Sequence, residues 1–302
     1  MVPGPGNGIL GIGDDCAIIP GRTGTDTLVS TDMLVEEVHF LRREIPPRLL
    51  GWKSAAVNLS DIAAMGAVPT GTFLSLALPS DIDKEWTDEF IAGYSEISRL
   101  YGVPLLGGDT TSSPQRICIN VAVLGECPAG SAKRRSGAVA GDKICVTGTL
   151  GDSAAGLEVI LHGWHGTEAV VALVERHFKP EPRIKEGLAL RAERGVHAMM
   201  DISDGIGSDL RHIMKASGTG AKVDVHSLPL SEELLALCRE HNELDPVRLA
   251  CSGGEDYELL FTADPSCEAK LEVPHTVIGE ITEGNVLEWC GTGNDYLGFR
   301  HF

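Results

Sequence analysis

The chain has 302 residues, which is enough for two domains at roughly 150 residues each. It carries 25 Lys and Arg against 43 Asp and Glu, a formal net charge of −18, and this balance excludes a duplex DNA or RNA binder, which needs clustered basic residues. No apolar run could cross a bilayer and no basic-then-apolar N-terminus is present, so we expect neither a membrane span nor a signal peptide, and a cytoplasmic location.

The first half of the chain alternates between strand and helix patterns. Residues 27–32 and 73–78 predict strands, and 103–106 and 117–124 predict buried strands bounded by Gly or Pro. Pro46-Pro47 opens a predicted helix that runs to about Gly66, and the apolar spacing over 82–101 predicts an amphipathic helix.

The second half begins after a linker that we place near residues 132–142, where Ala, Gly, Ser and basic residues are frequent. We expect domains at 1–138 and 139–302, built from α/β and α+β layers. The predicted strands are 143–147, one reaching Met200, 221–225, 257–262 and 276–281. The predicted helices are 153–162, 168–178, 184–193, 205–216 and one starting at Ser231.

Aspartates near Gly, Ser or Thr form the most informative pattern in the sequence. Each one alone is explained by a helix N-cap or a turn, and Asp204 fits either a cap or an anion site at a helix N-terminus. Together they indicate carboxylates that converge at one edge of a sheet, where cations must offset their repulsion. Mg²⁺ prefers such oxygen ligands and substrate phosphates. The aspartates are Asp14, Asp15, Asp32, Asp61, Asp109, Asp201 and Asp204, and the nearby hydroxyls are Ser30, Thr31, Thr110 and Ser203.

Glycine clusters add a second indication of phosphate binding. Gly107-Gly108, Thr147 to Gly151 and Ser252 to Gly254 are predicted at strand ends, where backbone N–H groups can approach phosphate oxygens, although tight turns also explain each cluster. No G-x-x-x-x-G-K-[ST] motif occurs, which excludes a P-loop NTPase. The residues alone therefore predict an acidic, Mg²⁺-dependent site for a phosphate-rich ligand, built without a P-loop.

Several other polar residues have two interpretations. Arg135 could neutralise a nucleotide phosphate, whereas Lys133 and Arg134 fit a solvated basic turn equally well. Glu255 and Asp256 precede an apolar strand and could form an exposed turn. His39, as an isolated histidine, is more often structural than catalytic.

The chain resembles the thiamine-monophosphate kinase family, of the superfamily that includes aminoimidazole-ribonucleotide synthetase. The resemblance runs from about Gly11 to the C-terminus. It rests on the motifs G-I-G-D-D-C-A, S-T-D-M-L-V-E-E-V-H-F, A-V-N-L-S-D-I-A-A-M-G-A, L-G-G-D-T-T, V-T-G-T-L-G-D-S-A-A-G-L, D-I-S-D-G-I-G-S-D-L and S-G-G-E-D-Y-E-L.

This resemblance implies a two-domain aminoimidazole-ribonucleotide synthetase-like fold that forms a homodimer through its N-terminal sheets. It implies several Mg²⁺ ions held at Asp15, Ser30, Thr31, Asp32, Asp61, Asp109, Asp201 and Asp204. It implies nucleotide contacts at Tyr101, Gly108, Asp109, Arg135 and Ser203, and substrate contacts at His39, Glu255 and Phe299. Family members usually carry a helical segment before G-I-G-D-D, where this sequence has M-V-P-G-P-G-N-G-I-L. Either the start is short, or the helix is missing and the affinity for nucleotide is open to question.

The implied reaction is transfer of the ATP γ-phosphoryl group to thiamine monophosphate. Because a phosphate monoester is largely dianionic at pH 7, the acceptor needs no general base, and we expect no dedicated catalytic residue. Catalysis is then metal-mediated through Asp32, Asp109 and Asp204, with in-line positioning. The alternatives are an ATP-dependent ligase or cyclase of the same superfamily, and a non-catalytic binder of nucleotide or thiamine phosphate.

Overall fold

A computed structural model of the chain describes residues 14–20 and 24–298. The N-terminal segment before Gly11 and the candidate substrate residue Phe299 lie outside the described residues. The chain divides into two compact units. The first runs to Ile62 and from Ala67 to Ala132, and the second takes Ala63–Gly66 and the chain from Lys133 onwards.

The N-terminal unit is a five-stranded sheet with two long helices. Its strands are β1 (Ala17–Pro20), β2 (Thr25–Val35), β3 (Val68–Leu78), β4 (Leu105–Ser112) and β5 (Cys118–Pro128), in the order β1-β2-β5-β3-β4. The β3–β4 pair is parallel and the other pairs are antiparallel. Its helices are α1 (Pro47–Ala64) and α2 (Lys84–Tyr101).

Both helices pack on the same unit's sheet and on each other. The Tyr94 hydroxyl of α2 donates a hydrogen bond to Thr72 Oγ1 of β3 over 2.8 Å, with both side chains buried. Alternate residues of β5, from Ile119 to Val123, are fully buried, as expected for a sheet covered on one face. Met33 and Phe73 remain exposed at the other face, so this unit has two layers.

Strand β4 differs from the buried strand that the sequence predicts over 103–106. It begins at Leu105, runs through the glycines and polar residues to Ser112, and is exposed along its whole length. Backbone pairing with β3 at the edge of the sheet defines it, rather than burial of apolar side chains. Gly107 and Gly108 accordingly lie within the strand and not at its end.

The C-terminal unit is a six-stranded sheet with seven α-helices and one short 3₁₀ helix (Val225–Ser227) among its described residues. The strands are β6 (Lys143–Val146), β7 (Val196–Asp201), β8 (Gly220–Asp224), β9 (Leu259–Ala263), β10 (Thr276–Thr282) and β11 (Leu287–Cys290), in the order β11-β8-β10-β6-β9-β7. The helices are α3 (Asp152–His162), α4 (Glu168–Phe178), α5 (Ile184–Ala192), α6 (Ile206–Ser217), α7 (Glu232–Glu240), α8 (Pro246–Ser252) and α9 (Pro265–Glu268).

Two apolar clusters stabilise this unit. The larger one packs α6 on the sheet through residues such as Ile206, Leu210 and Ile213, all fully buried. The smaller one joins α3, α4 and α7 through Val159, Leu173 and Leu234, among others. The β8–β11 pair is parallel and the remaining pairs are antiparallel, so the layers are of the α+β type.

The predicted elements with a long apolar period are confirmed, including α1, α2, α4 and α6. Five short elements were not predicted from the sequence: β1, the 3₁₀ helix Val225–Ser227, α8, α9 and β11. The predicted linker, 132–142, lies in an irregular segment, and the exact domain boundary at 138/139 stays a prediction. Within residues 14–20 and 24–298, no helix is both long enough and apolar enough to cross a membrane.

Candidate active site

An acidic group forms where β2 meets α1 in the N-terminal unit. Ser30 Oγ lies 2.5 Å from Asp61 Oδ2 and 2.9 Å from the backbone oxygen of Asp15. Carboxylate oxygens of Asp15 and Asp61 lie within 4.8 Å of one another. Two carboxylates at this separation repel each other unless a proton or a cation lies between them.

Asp32 follows on the same face of β2, because side chains alternate and Ser30 is two residues earlier. Burial, together with the negative charge of Asp15, raises the pKa of the Asp32 carboxyl. The Asp32 backbone is held by two amide side chains: its N–H donates to Asn58 Oδ1 over 3.0 Å, and its carbonyl accepts from Asn120 Nδ2 over 3.1 Å.

The side chain of Thr31 lies on the opposite, exposed face of the strand. Its hydroxyl donates to the Val121 backbone oxygen over 3.0 Å and accepts from Asn120 Nδ2 over 2.9 Å. This hydroxyl therefore does not face the Ser30 and Asp61 group, and the backbone oxygen is the atom that Thr31 could offer to a cation there.

The donors of this group are all oxygens: carboxylates of Asp15, Asp32 and Asp61, and the Ser30 hydroxyl. Mg²⁺ prefers such a hard donor set. A raised carboxyl pKa beside a second carboxylate is the electrostatic signature of a site that a cation would stabilise. The residues present therefore fit Mg²⁺.

Asp109 lies elsewhere in the same unit. Its strand, β4, is separated from β2 by β5 and β3, about 14 Å at the usual strand spacing of about 4.8 Å. The carboxylate is exposed and accepts a hydrogen bond from the Thr110 N–H over 2.9 Å. Within this unit the fold does not bring Asp109 to Asp32.

Gly108 is fixed by the close approach of β3. A Cβ at this position would lie 1.8 Å from the Leu74 backbone oxygen, so no other residue fits without displacing a strand.

The nucleotide candidate Tyr101 is the last residue of α2 and is half-buried. His39 lies in the turn after β2, where its Nδ1 accepts a hydrogen bond from the Val35 N–H over 3.0 Å.

In the C-terminal unit, the D-I-S-D and S-G-G-E-D-Y-E-L motifs run side by side. The Glu255 N–H donates to the Ser203 oxygen and the Tyr257 N–H donates to the Ile202 oxygen, both over 2.8 Å. Asp201 ends β7 and is buried, and the Asp204 N–H donates to Asp209 Oδ2 over 3.1 Å. This pairing brings the candidates Asp201, Ser203, Asp204 and Glu255 together.

Glu255 and Tyr257 adopt left-handed backbone conformations, with φ of 66° and 51°. Non-glycine residues rarely occupy this region, and such strain is often found at functional sites. Glu255 Oε2 lies 3.5 Å from Nδ1 of the buried His177, whose Nδ1 is also 3.0 Å from Ser153 Oγ. The motif is therefore not the exposed turn that its polarity suggested.

Asp256 is the clearest evidence that the S-G-G-E-D-Y-E-L motif is not an exposed turn. Its Oδ2 accepts from the Gly151 N–H over 2.8 Å, at the N-terminus of α3. Burial, partly opposed by that hydrogen bond and reinforced by the charge of Asp152, raises the pKa of Asp256 well above its ordinary value. Of the two predicted glycine clusters nearby, Thr147 to Gly151 follows strand β6 as expected, whereas Ser252 ends helix α8 and Gly253 and Gly254 follow that helix, not a strand.

A cavity of about 390 Å³ lies beside Glu255. Arg183 donates to both carboxylate oxygens of the buried Glu258, which also accepts from Thr147 Oγ1. The wall of the cavity carries six carboxylates and three basic side chains, Asp152, Glu175, Glu181, Glu255, Asp256, Glu258, Arg176, Lys179 and Arg183. Carboxylates therefore outnumber basic groups around it.

The basic residues of the linker differ from one another. Lys133 Nζ donates to the backbone oxygens of Glu193 and Val196 over 2.7 and 2.5 Å, and burial lowers its pKa, so it holds structure and is not a solvated turn residue. Arg135 is half-buried, and its backbone oxygen lies 3.3 Å from Ser217 Oγ. Its nucleotide role stays a prediction.

Three features of the site were not predicted from the sequence: Asn58 and Asn120, which hold Asp32, and the Arg183–Glu258 pair. Asn58 lies within A-V-N-L-S-D, where the sequence indicates only Asp61 as a metal ligand. No local pattern identifies the contacts of these residues, because their partners are distant in sequence.

The sequence matches the family AIR synthase related protein, by its N-terminal domain over residues 13–127 and by its C-terminal domain over residues 139–289. Thiamine-monophosphate kinase from Salmonella typhimurium is 43% identical over 306 residues, covering 97% of this chain and 91% of that protein. The enzyme of the same name from Escherichia coli is 44% identical over 309 residues, covering 97% and 92%.

Solved structures agree with these relatives. A structure described as AaThiL complexed with AMPPCP and TMP is 36% identical, with a TM-score of 0.90, and covers 96% of this chain and 92% of that one. The structure of thiamine monophosphate kinase from Aquifex aeolicus is 36% identical, with a TM-score of 0.83 and coverage of 93% and 92%. The chain therefore belongs to the AIR synthase related protein family and, within it, to the thiamine-monophosphate kinases.

Proposed function

We propose that this chain transfers the γ-phosphoryl group of ATP to thiamine monophosphate, giving thiamine diphosphate and ADP. The observation that carries the proposal is its similarity, along nearly the whole chain, to a structure that holds AMPPCP and TMP. The acidic group at Ser30 and Asp61 supports it, because a reaction between two polyanions requires negative charge to be offset by cations.

We propose that several Mg²⁺ ions are held by Asp15, Ser30, Thr31, Asp32, Asp61, Asp109, Asp201 and Asp204. When bound, the ions neutralise phosphate charge and orient the γ-phosphoryl group for in-line transfer. Thr31 offers its backbone oxygen, since its hydroxyl faces the other side of β2.

The residues of the chain position the reactants. Tyr101, Gly108, Asp109, Arg135 and Ser203 contact the nucleotide, and His39, Glu255 and Phe299 contact thiamine monophosphate. The acceptor phosphate, with a second pKa of about 6, is already largely ionised at neutral pH, so no side chain has to remove a proton. Asp32, Asp109 and Asp204 therefore act through metal binding.

The excess of carboxylates around the cavity beside Glu255 supports a cationic ligand there. The thiazolium ring of thiamine monophosphate carries a positive charge, and opposite charges within a partly desolvated cavity attract. Glu255 is held toward this region by its strained backbone and by the pairing with Ser203.

We also propose that the protein is a cytoplasmic homodimer that associates through its N-terminal sheets. Large apolar side chains on the sheet support this, because Met33, Phe73 and Leu106 are each at least 42% exposed in a single chain. Burying such side chains is the usual driving force for association.

The decisive experiment incubates the purified protein with ATP, Mg²⁺ and thiamine monophosphate and measures ADP and thiamine diphosphate. We expect both products in equal amounts. Turnover with another acceptor but not with thiamine monophosphate would favour the ligase or cyclase alternative. Stoichiometric ligand binding in calorimetry without ADP release would favour the non-catalytic binder.

A further inference from the structure

We propose that Asn58 is a positioning residue of the metal site, whose side-chain amide fixes the backbone of Asp32 so that the Asp32 carboxylate stays aligned with Ser30 and Asp61. The inference rests on the proposed function, since it takes Asp32 as a Mg²⁺ ligand. Asn58 binds the backbone of Asp32, not its carboxylate, and therefore acts on the metal site through Asp32.

The amide of Asn58 is fully buried in α1 and is oriented by two hydrogen bonds. Oδ1 accepts from the Asp32 N–H over 3.0 Å, and Nδ2 donates to the Ser54 backbone oxygen over 3.0 Å. A flipped amide would place a donor against the Asp32 N–H and an acceptor against the Ser54 oxygen. The two partners therefore require this orientation.

A second amide completes the arrangement. Asn120 of β5 donates to the Asp32 carbonyl over 3.1 Å, so both backbone polar atoms of Asp32 are bound by side chains from different elements. The Cα of Asp32 lies between these two anchors. Its position is therefore defined relative to both α1 and β5.

The same helix that holds Asp32 also supplies Asp61. Residues three apart on a helix are neighbours on one face, so Asn58 and Asp61 both face β2. Asn58 binds the backbone of Asp32, and Asp61 binds the hydroxyl of Ser30 over 2.5 Å. One helix face thereby sets the spacing of the two β2 residues.

Fixing the backbone of Asp32 opposes the electrostatic repulsion among the carboxylates of the acidic group. Carboxylates of like charge, here Asp15, Asp32 and Asp61, move apart when the backbone permits it. A buried amide that is fully hydrogen-bonded resists this movement, because breaking it would leave polar groups buried without partners. Residues behind metal ligands contribute in this way, and their replacement typically costs about 10–100-fold in metal affinity.

The test measures Mn²⁺ binding to the full chain by electron paramagnetic resonance, with Mg²⁺ dependence of turnover as a second readout. Asn58→Leu keeps the branched arrangement of side-chain heavy atoms and removes both hydrogen bonds, and Asn58→Ala is a smaller second variant with less steric risk. Ser54→Ala is the matched control. It removes the hydroxyl that donates a hydrogen bond to the Leu50 backbone oxygen in the same buried stretch of α1.

We expect at least about tenfold weaker Mn²⁺ binding in both Asn58 variants, and a higher Mg²⁺ requirement at saturating ATP. Ser54→Ala should retain wild-type Mn²⁺ affinity. A folded Asn58 variant with wild-type affinity would overturn the positioning role and leave the proposed function intact. Failure of both variants to fold would also overturn it, since Asn58 would then serve folding.

The wild-type titration distinguishes failure of the Asn58 role from failure of the proposed function. A wild-type protein that binds no Mn²⁺ and makes no thiamine diphosphate would refute the proposed function, and the role of Asn58 with it. Wild-type binding and turnover, with loss of affinity only in the Asn58 variants, would establish both.

Discussion

Ser30 Oγ lies 2.5 Å from Asp61 Oδ2, and this contact joins strand β2 to helix α1 across 31 positions of sequence. A hydroxyl can donate one proton to a carboxylate and still offer lone pairs to a cation. The pair can therefore hold a Mg²⁺ ligand set in place and contribute to it.

Ser30→Ala tests this pair. Loss of the hydroxyl removes one oxygen ligand and its hydrogen bond to the Asp61 carboxylate, so we expect the Mg²⁺ concentration for half-maximal turnover to rise by about tenfold or more. The measurement is ADP release against Mg²⁺ at saturating ATP. Thr25→Ala is the control, because it removes a hydroxyl–carboxylate bond of 2.6 Å, to Glu126, from the same strand. An equal Mg²⁺ requirement in the two variants would argue against a metal site at Ser30.

Asp256→Asn tests the consequence of burying a carboxylate at the N-terminus of α3. Because the folded state raises the pKa of Asp256, the folded protein holds this proton more tightly than the unfolded chain, whose Asp pKa is about 3.9. Its contribution to stability is therefore largest at low pH and falls as pH rises from about 4 through the folded pKa. Asn cannot titrate, so the variant should gain stability relative to wild type over that range.

Urea unfolding at several pH values between about 4.5 and 8 measures this difference. Asp264→Asn serves as the control. Hydrogen bonds from the side chain and backbone of Ser266 lower the pKa of the half-buried Asp264, which places its titration below this range. We expect a constant offset for Asp264→Asn. A constant offset for Asp256→Asn as well would show that Asp256 has an ordinary pKa.

Tyr94→Phe tests the contact between α2 and β3. Burial raises the pKa of Tyr94 to about 12, and its hydroxyl donates to the buried Thr72 Oγ1. Removing the donor leaves a buried acceptor, so the free energy of unfolding should fall by about 1–3 kcal/mol. In Tyr94→Phe with Thr72→Val, both partners are apolar, and the loss should be smaller than the sum of the single losses. Additive losses in urea unfolding would contradict a direct bond.

The helices of this protein were largely predictable from sequence, whereas the positions of the acidic residues were not. The period of Trp86, Phe90, Tyr94 and Ile97 in α2 reflects its burial on one face, and the structure confirms it. Asp32 was expected at the end of the strand predicted over 27–32, yet it lies inside β2, which continues to Val35. Asp61 lies inside α1, within the helix predicted from Pro46 to about Gly66. Strand β2 continues through S-T-D because pairing with β5 provides hydrogen bonds for its backbone N–H and C=O groups. The pattern of apolar residues in the sequence does not indicate that pairing.

The candidate site shows the same limit more strongly. The motifs identify Asp32 and Asp61 as chemically suitable, but the contact that orients Asp32 comes from Asn58, 26 positions away. An amide has no charge and no distinctive spacing, so only the packing of α1 on β2 reveals its function. The exposure of β4 also could not be predicted from sequence, because it results from the strand order, which places β4 at the edge of the sheet.

Gly108→Ala tests that edge. A Cβ at Gly108 would lie 1.8 Å from the Leu74 backbone oxygen, so either β4 or β3 must move to admit it. Such a forced contact costs about 1–3 kcal/mol of unfolding free energy, and it displaces the neighbouring Asp109, which we propose to bind metal and nucleotide. Thermal unfolding and the KM for ATP are the two measurements, and we expect a lower melting temperature and a higher KM. Gly293→Ala is the control, since a Cβ there meets no atom within 4 Å. If Gly108→Ala matched this control in both measurements, β4 would be mobile enough to accommodate a methyl group. The conclusion that tight β3–β4 pairing positions Asp109 would then be wrong.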